Sequence, residues 1–251
     1  MTEPSSTLMH PELGLFVKCP HPEMLEAIGI AGFDFAVVDM EHTPLGPRDL
    51  YPLVLAAERR GLALVVRIPE GEDRYLKWCR DLGIARIQVP HVETGADAAA
   101  AVRQSHFAPA GERGLCRFVR AADFSATPRD TYLRDANAGT RLILQIEGTT
   151  AVEELPRILA ACTPTTSLFI GPYDLSQSLG KPGQIWDTEV VTTMEAIIAA
   201  CRARGIRVGT FTDTPDGIAF WSARGVDFLE YASDLHLLIT TAQALLAARP
   251  T

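Results

Sequence analysis

Eight short runs of apolar, β-favouring residues alternate along the chain with longer segments of helical periodicity, and this alternation limits the possible folds more than any other feature. The apolar runs cover residues 14–19, 33–39, 62–68, 85–89, 142–147, 167–171, 206–210 and 226–231. The helical segments cover residues 22–31, 48–60, 73–82, 95–105, 151–160, 188–204, 215–223 and 234–248. Short apolar runs are typical of buried strands, and apolar spacing of three and four residues indicates helices.

Strands that alternate with helices pair in parallel and are joined by right-handed crossovers. Eight such units in 251 residues favour an α/β protein with a closed (β/α)₈ fold, the TIM barrel. An open doubly wound sheet is the alternative, since periodicity does not show closure, but no GxGxxG motif follows the first strand. We predict a single domain over residues 1–251, in which the long connection at 106–141 has at most one short helix.

Charge and cysteine usage exclude several function classes. With 23 Lys+Arg against 31 Asp+Glu and only three lysines, the chain is a poor match for nucleic acid. The five cysteines lie far apart without a CxxC motif, which argues against a disulfide framework and a thiolate zinc site. The first residues do not have the pattern of a signal peptide, and the apolar segment 237–248 is too short to cross a bilayer. We expect a cytoplasmic protein with no membrane partner.

Polar side chains end or follow the predicted strands, at the edge where parallel barrels hold their active sites. They are Lys18, Asp39, Glu41, His42, Arg67, Gln88, His91, Gln145, Glu147, Asp174, Thr212, Asp213 and Asp234. Side chains alternate between the two faces of a strand. If the face that includes Val37, Val65 and Ile143 points inward, four polar side chains converge near the barrel axis: Asp39, Arg67, Gln145 and Glu147. For any one of them alone, a helix cap or a loop contact is an equally good interpretation.

The residue types indicate which chemistry such a group can perform. Glu147 and Asp174 are carboxylates without a neighbouring Cys or His cluster, which favours Mg²⁺ or Mn²⁺ over softer metals. Two protein ligands leave open positions for water and a chelating 2-oxo acid. Arg67 offers a positive charge where an enolate oxygen develops, and His42 is the candidate base. Taken alone, His42 is better explained by a loop hydrogen bond.

Four motifs resemble those of the metal-dependent class II pyruvate aldolases of the HpcH/HpaI family. They are DMEH at 39–42, RIP at 67–69, QIE at 145–147 and GPYDLSQSLG at 171–180, within a similarity that extends from residue 14 to about residue 246. The last motif, in its order after QIE, is specific, whereas DMEH alone is a weak signal. The family includes 4-hydroxy-2-oxoheptanedioate aldolase and 2-dehydro-3-deoxyglucarate aldolase.

The resemblance implies a lyase that cleaves a 4-hydroxy-2-oxo acid reversibly to pyruvate and an aldehyde through a metal-stabilised pyruvate enolate. It implies that Glu147 and Asp174 hold Mg²⁺, Mn²⁺ or Co²⁺. It also implies a homohexamer, a trimer of dimers, in which subunits exchange a C-terminal helix that corresponds here to residues 234–248.

The same resemblance assigns further roles within the site. Gln145 would lie near bound pyruvate, and Arg67 would stabilise the enolate. His42 would be the base, with Asp81 as its acidic partner. The backbone around Tyr173 and Asp174 would contact the substrate carboxylate.

Three positions at the expected rim depart from the family pattern: Thr43, His91 and Tyr173. They leave the acceptor aldehyde undetermined, although each is also compatible with a neutral packing change. Two other functions stay open. Lys18 shares parity with Phe16, so its amine could form a Schiff base with the keto acid, although a surface lysine is the simpler interpretation. Alternatively, the barrel could bind a keto acid and a metal without turnover.

Overall fold

Eight strands form a closed parallel barrel in the computed structural model, which describes residues 10–249. The strands are β1 (Glu12–Val17), β2 (Phe35–Asp39), β3 (Ala63–Arg67), β4 (Arg86–Val89), β5 (Arg141–Ile146), β6 (Thr166–Ile170), β7 (Arg207–Thr212) and β8 (Phe228–Ser233). Each strand pairs with the next, and β8 pairs with β1 to close the sheet. The (β/α)₈ barrel is therefore confirmed, and the open sheet is excluded. The single domain over residues 1–251 extends beyond the described residues at both ends and stays a prediction.

The interior of the barrel is packed with large side chains from alternate strand positions. They are Phe16, Phe35, Val37, Val65, Ile143, Phe169 and Phe228. The rings of Phe35 and Phe228, at the starts of β2 and β8, lie 6.2 Å apart between centroids. A Cβ atom on Gly14 would lie 2.1 Å from the Phe35 ring, and one on Gly209 would lie 2.3 Å from the Phe228 ring. These glycines therefore leave space for the rings that fill the amino-terminal end of the barrel.

The helices surround the barrel and cover a second, larger apolar layer. They are α1 (Pro22–Ala31), α2 (Pro47–Arg60), α3 (Asp73–Leu82), α4 (Gly95–Ser105), α5 (Arg129–Gly139), α6 (Thr149–Glu153), α7 (Leu155–Ala161), α8 (Pro172–Ser178), α9 (Thr188–Ala203), α10 (Pro215–Ala223) and α11 (Asp234–Ala247), with a 3₁₀ helix at Arg120–Ser125. The helix predicted at 151–160 is divided into α6 and α7. Pro156 explains the division, because proline fits the first turn of a helix but not its interior.

The connection between β4 and β5 contains more regular structure than predicted. The expectation of at most one short helix over 106–141 was wrong, because this segment has both the 3₁₀ helix and the 11-residue helix α5. Tyr132 of α5 is buried in a small apolar cluster with Phe107 and Ala122. The ring centroids of Tyr132 and Phe107 lie 5.4 Å apart. This packing gives α5 a buried face that the weakly amphipathic sequence does not indicate.

The C-terminal helix α11 has an exposed apolar surface. Leu235, Leu238, Ile239, Leu245 and Leu246 are each more than two-fifths exposed. Such a surface is typical of an interaction site. The exchange of this helix between subunits stays a prediction. In residues 10–249, every helix is too short or too polar to cross a membrane.

Candidate active site

A cavity of about 360 Å³ opens where the strands end at their carboxyl termini. Every strand except β4 contributes to its lining, directly or through the segment that follows it: Phe16, Lys18, His42, Arg67, Gln145, Phe169, Gly171, Pro172, Tyr173, Asp174, Phe211, Asp213, Ala232, Ser233 and His236. Of the four side chains predicted to converge, Arg67 and Gln145 line this cavity, and the buried Asp39 and Glu147 accept hydrogen bonds from them. His42, Tyr173 and Asp174 also line it.

Asp39 is the buried anion at the base of the site. Arg67 Nε donates to Asp39 Oδ1 at 2.9 Å, and Arg67 Nη2 forms an ion pair with Oδ2 at 2.9 Å. The ammonium group of Lys18 also donates to Oδ2. Burial by itself would raise the pKa of Asp39, but the hydrogen bonds and charges of Arg67 and then Lys18 hold it well below the ordinary value. Asp39 is therefore a permanent anion that orients both cations.

Backbone donors complete this arrangement and position the β2–α2 loop. The N–H groups of Glu41 and His42 donate to Asp39 Oδ1 at 3.1 and 3.3 Å. The guanidinium of Arg67 also approaches Glu41, at 3.2 Å from Nε to Oε2, and lies 4.9 Å from the centroid of the Phe16 ring. The guanidinium is thus held in one orientation, with its charge at the cavity.

Glu147 follows β5 directly and is held on both of its carboxylate oxygens. Its Oε1 accepts from the backbone N–H of His91 at 2.8 Å, and its Oε2 accepts from the Gln145 side chain. Burial raises the pKa of Glu147, the hydrogen bonds from Gln145 and His91 oppose this rise, and the negative charge of Asp174 adds to it. A second acidic group therefore lies close enough to disfavour the charged form of Glu147.

These two carboxylates fit a hard divalent cation. A carboxylate oxygen can accept more than one partner, so the hydrogen bonds to Glu147 leave lone pairs for a metal. A cation between Glu147 and Asp174 would also relieve their mutual repulsion. Within residues 10–249, no cluster of three or more His, Cys, Asp or Glu side chains is arranged to hold a metal. The fit therefore depends on two protein oxygens, with the other coordination positions open to water and substrate.

His42 and Asp81 are not brought together. The imidazole of His42 lies at the mouth of the cavity and is 64% exposed. Among the described residues, the carboxylate within 4 Å of its ring nitrogens is that of Glu41, with Oε2 3.9 Å from His42 Nε2. Asp81 lies on α3 and accepts from Arg113 Nη2 at 2.8 Å. In the single chain, no ion pair joins His42 to Asp81 among the described residues, and Asp81 is paired with Arg113 of the β4–β5 connection. The catalytic role of Asp81 stays an untested prediction.

Comparison with known proteins gives a consistent result. The family model described as HpcH/HpaI aldolase/citrate lyase matches residues 12–241. The chain belongs to this family. It is 34% identical over 236 residues to the 2-dehydro-3,6-dideoxy-6-sulfogluconate aldolase of Pseudomonas putida, covering 94% of this chain and 91% of the relative. It is 31% identical to the 5-keto-4-deoxy-D-glucarate aldolase of Klebsiella pneumoniae, covering 93% and 90% of the two chains.

Solved structures show the same relationship. An HpcH/HpaI aldolase/citrate lyase family protein from Burkholderia cenocepacia has a TM-score of 0.89 and 36% identity, with 96% of both chains covered. A citrate synthase has a TM-score of 0.84 and 29% identity, with 95% of this chain and 93% of that chain covered. The resemblance expected from the motifs is therefore confirmed at the level of the family. Its members include proteins with the names of aldolases, and its structural neighbours include a citrate synthase.

Lys18 differs from a Schiff-base lysine in its surroundings. Its side chain faces the cavity, as its shared parity with Phe16 indicates, but its ammonium group is bound to Asp39. A Schiff-base lysine needs an amine that is free to reach a carbonyl carbon, whereas the Lys18 amine is engaged in an ion pair with the buried Asp39. In this member of the HpcH/HpaI family, Lys18 is therefore better suited to hold Asp39 than to act as a nucleophile.

A buried polar chain beneath the cavity joins Gln145 and Gln88 to Glu230, and the sequence analysis did not single out Glu230. Gln145 Oε1 accepts from Gln88 Nε2 at 2.6 Å, and the same Nε2 lies 3.4 Å from Glu230 Oε2. Glu230 is fully buried, and burial raises its pKa to about 8. A signal was present, because Glu230 stands between Phe228 and Ala232 in the inward register of β8.

His91 is the other residue whose role was not recognised. Its backbone has a φ of 48°, a conformation that is uncommon outside glycine and that aims its N–H at Glu147. Its ring lies near Glu147 and Glu41, with Nδ1 3.4 Å from the former and Nε2 3.8 Å from the latter. His91 therefore positions the carboxylate of Glu147 through its backbone.

Proposed function

We propose that this protein is a divalent-metal-dependent class II aldolase, which cleaves a 4-hydroxy-2-oxo acid reversibly to pyruvate and an aldehyde. The observation that carries the proposal is a pair of neighbouring carboxylates, Asp174 in the cavity lining and Glu147 directly behind Gly171, with the fixed guanidinium of Arg67 at the same cavity. The aldolases to which the chain is 34% and 31% identical support the reaction class.

Each polar group has a separate task in binding the keto acid. Glu147 and Asp174 would hold Mg²⁺, Mn²⁺ or Co²⁺, which supplies Lewis-acid polarisation of the substrate keto group. Gln145 borders the cavity and orients the keto acid through its amide. The backbone at Tyr173 and Asp174, in the first turn of α8, offers N–H groups to the substrate carboxylate.

Cleavage requires a base and a place for negative charge. His42 takes the proton of the 4-hydroxyl group, the bond between C3 and C4 breaks, and C4 leaves as the aldehyde. The electron pair of that bond passes into the enolate of pyruvate, whose oxygen develops beside Arg67. Protonation of the enolate at C3 then completes pyruvate. Aldol addition uses the same steps in reverse.

Metal removal tests this proposal. Treatment with a chelator should abolish pyruvate release from 4-hydroxy-2-oxo acids, and added Mg²⁺, Mn²⁺ or Co²⁺ should restore it. The Glu147→Gln variant should lose roughly 100-fold or more of the activity, whereas the Glu153→Gln variant at an exposed helix position should not. Full activity after exhaustive metal removal would contradict the metal-dependent mechanism.

Hydrogen exchange separates an enzyme from a barrel that only binds its ligand. A functional site should exchange the C3 protons of pyruvate with deuterated solvent, because enolate formation needs no aldehyde. Pyruvate binding without exchange would favour the ligand-binding alternative. Borohydride trapping in the presence of pyruvate tests Lys18, and covalent labelling at Lys18 would favour the Schiff-base route.

We propose further that the enzyme acts in the cytoplasm as a homohexamer, a trimer of dimers. The exposed apolar surface of α11 supports an assembly of subunits.

A further inference from the structure

One wall of the cavity is built from aromatic rings in mutual contact. Phe16 of β1 and Phe211 of β7 lie 6.0 Å apart between centroids, and Tyr173 of α8 lies 5.8 Å from Phe211. We refer to Phe16, Phe211 and Tyr173 as the aromatic wall. All three border the cavity, but Phe16 is buried, Phe211 is half-buried and Tyr173 is 45% exposed, so the open apolar surface comes from Phe211 and Tyr173. Apolar surface that is left open within a concave site indicates contact with an apolar part of a ligand.

The polar atom of the aromatic wall is already engaged. The hydroxyl of Tyr173 donates to Asp213 Oδ2 at 2.9 Å. Tyr173 is therefore held at its tip and offers the cavity mainly the carbon atoms of its ring.

The charges around the cavity disfavour an anionic acceptor. The lysine and the arginine of the lining, Lys18 and Arg67, are both bound to Asp39. Asp213 adds a negative charge beside the aromatic wall. The other basic side chains of the lining are His42, the proposed base, and His236 in the first turn of α11. A second carboxylate or a sulfonate on the aldehyde would find Lys18 paired with Asp39, Arg67 committed to the pyruvate oxygen, and a like charge at Asp213.

We infer that the acceptor of this site is an uncharged aldehyde with an aromatic or branched aliphatic body, which packs on the aromatic wall. The inference rests on the proposed function. In the addition direction, C3 of the pyruvate enolate forms a bond to the aldehyde carbon, and the carbonyl oxygen takes the proton held by His42. The product is a 4-hydroxy-2-oxo acid with an aryl or branched alkyl group at C4.

Competition between aldehydes tests the inference. With pyruvate as donor, kcat/KM is measured for benzaldehyde and isobutyraldehyde, and for glycolaldehyde and succinic semialdehyde. We expect values for the first pair to exceed those for succinic semialdehyde by roughly tenfold or more. Equal values, or a preference for the semialdehyde, would overturn the inference. Exchange of the C3 protons of pyruvate, measured without aldehyde, distinguishes failure of this inference from failure of the proposed function. If exchange occurs but the semialdehyde is preferred, only the acceptor class is refuted. If no exchange occurs, both proposals are refuted.

Two variants assign the preference to the aromatic wall. Phe211→Ser and Tyr173→Ser should each lower the ratio of kcat/KM for benzaldehyde over glycolaldehyde by roughly tenfold. Tyr173 is exposed, so its variant keeps the test available if Phe211→Ser does not fold. Phe118→Ser is the matched control, because Phe118 is 77% exposed outside the cavity lining and should leave the ratio unchanged. An unchanged ratio in both folded wall variants would overturn the inference.

Discussion

Gly171 lies against the side chain of Glu147 and leaves the space that this carboxylate occupies. A Cβ atom at position 171 would lie 2.6 Å from Glu147 Oε2 and 3.1 Å from its Cβ. The backbone of Gly171 has a φ of −84°, which alanine adopts without strain, so a substitution acts through this contact. We expect Gly171→Ala to displace Glu147 and to weaken activation by divalent metal roughly 10- to 100-fold, measured as the metal concentration for half-maximal activity.

The control for this variant is Gly139→Ala, where an added Cβ meets no atom within 4 Å. It should keep the metal response of the wild type. If Gly171→Ala responds to metal like the wild type while it remains folded, Glu147 does not hold the ion.

Glu230 is a buried acid whose ionisation opposes folding. Burial raises its pKa from 4.5 to about 8, the positive charge of Arg67 and the hydrogen bond from Gln88 lower it, and the charge of Asp39 raises it again. Between these two values the unfolded chain releases a proton that the folded chain keeps. The free energy of unfolding therefore falls as pH rises through this range, by about 1.4 kcal/mol per pH unit for one group.

Glu230→Gln keeps the shape of the side chain but has no ionisable group. We therefore expect the variant to lack this pH-dependent loss of stability. The variant should gain stability relative to the wild type as pH rises from about 5 to 8, measured by denaturant unfolding at several pH values. The exposed Glu153→Gln variant controls for the loss of one carboxylate. If the difference in unfolding free energy between the variant and the wild type is the same at every pH, ionisation of Glu230 does not cause the loss of stability at higher pH.

At the scale of elements, Asp81 and Arg113 connect α3 to the long β4–β5 connection. The Arg113 side chain is 1% exposed, donates to Asp81 at 2.8 Å and to Tyr132 at 3.1 Å, and lies 4.3 Å from the Phe107 ring centroid. Loss of one partner leaves a buried guanidinium without its counter-charge. We expect Asp81→Asn to lower the free energy of unfolding by roughly 1–3 kcal/mol, measured by denaturant unfolding.

The same variant tests the two interpretations of Asp81. If Asp81 only anchors the connection, pyruvate C3 exchange per folded molecule should stay close to that of the wild type. A large loss of exchange with unchanged stability would support the role as acidic partner of His42. Glu112→Gln is the comparison, because Glu112 is 73% exposed and forms a long ion pair with Arg103 at 3.7 Å.

For the whole molecule, the apolar surface of α11 determines the expected assembly. Leu238 and Leu245 are 63% and 70% exposed, and burial of two leucines between subunits stabilises an interface by about 2 kcal/mol each. We expect the double variant Leu238→Lys, Leu245→Lys to have a smaller mass in solution than the wild type by light scattering. Gln243→Lys adds charge at an exposed polar position of the same helix and should keep the wild-type mass. A wild type that is monomeric at every concentration would contradict the predicted hexamer.

The alternation of strands and helices could be predicted from the sequence because both periods are local properties of the chain. Four helices, at 22–31, 73–82, 95–105 and 215–223, have the predicted bounds. Glycine after the helix explains part of this accuracy, since Gly32 and Gly83 end α1 and α3 in the left-handed conformation. Helix α5 and the short helix α8 were not predicted, because each is stabilised by packing against distant residues.

The parity of the strands also predicted which side chains reach the site. Arg67 and Asp39 pair because adjacent positions on β2 and β3 are in register, and Gln145 and Glu147 meet because they stand two residues apart. Parity did not reveal that Lys18 is neutralised by Asp39, that Arg113 occupies Asp81, or that Gln88 and Glu230 continue the network below. Each of these contacts joins side chains from different elements, so its geometry depends on the closed barrel.

The amino-acid sequence by itself determined the order of elements, the inward face of each strand and the family, because these follow from local spacing and from short motifs. Only the tertiary structure decided which charges neutralise one another and which rings form a wall of the cavity. The physical reason is distance. Electrostatic and packing energies change steeply over a few ångströms, and the separations between side chains of different strands are set when eight strands close around a common core.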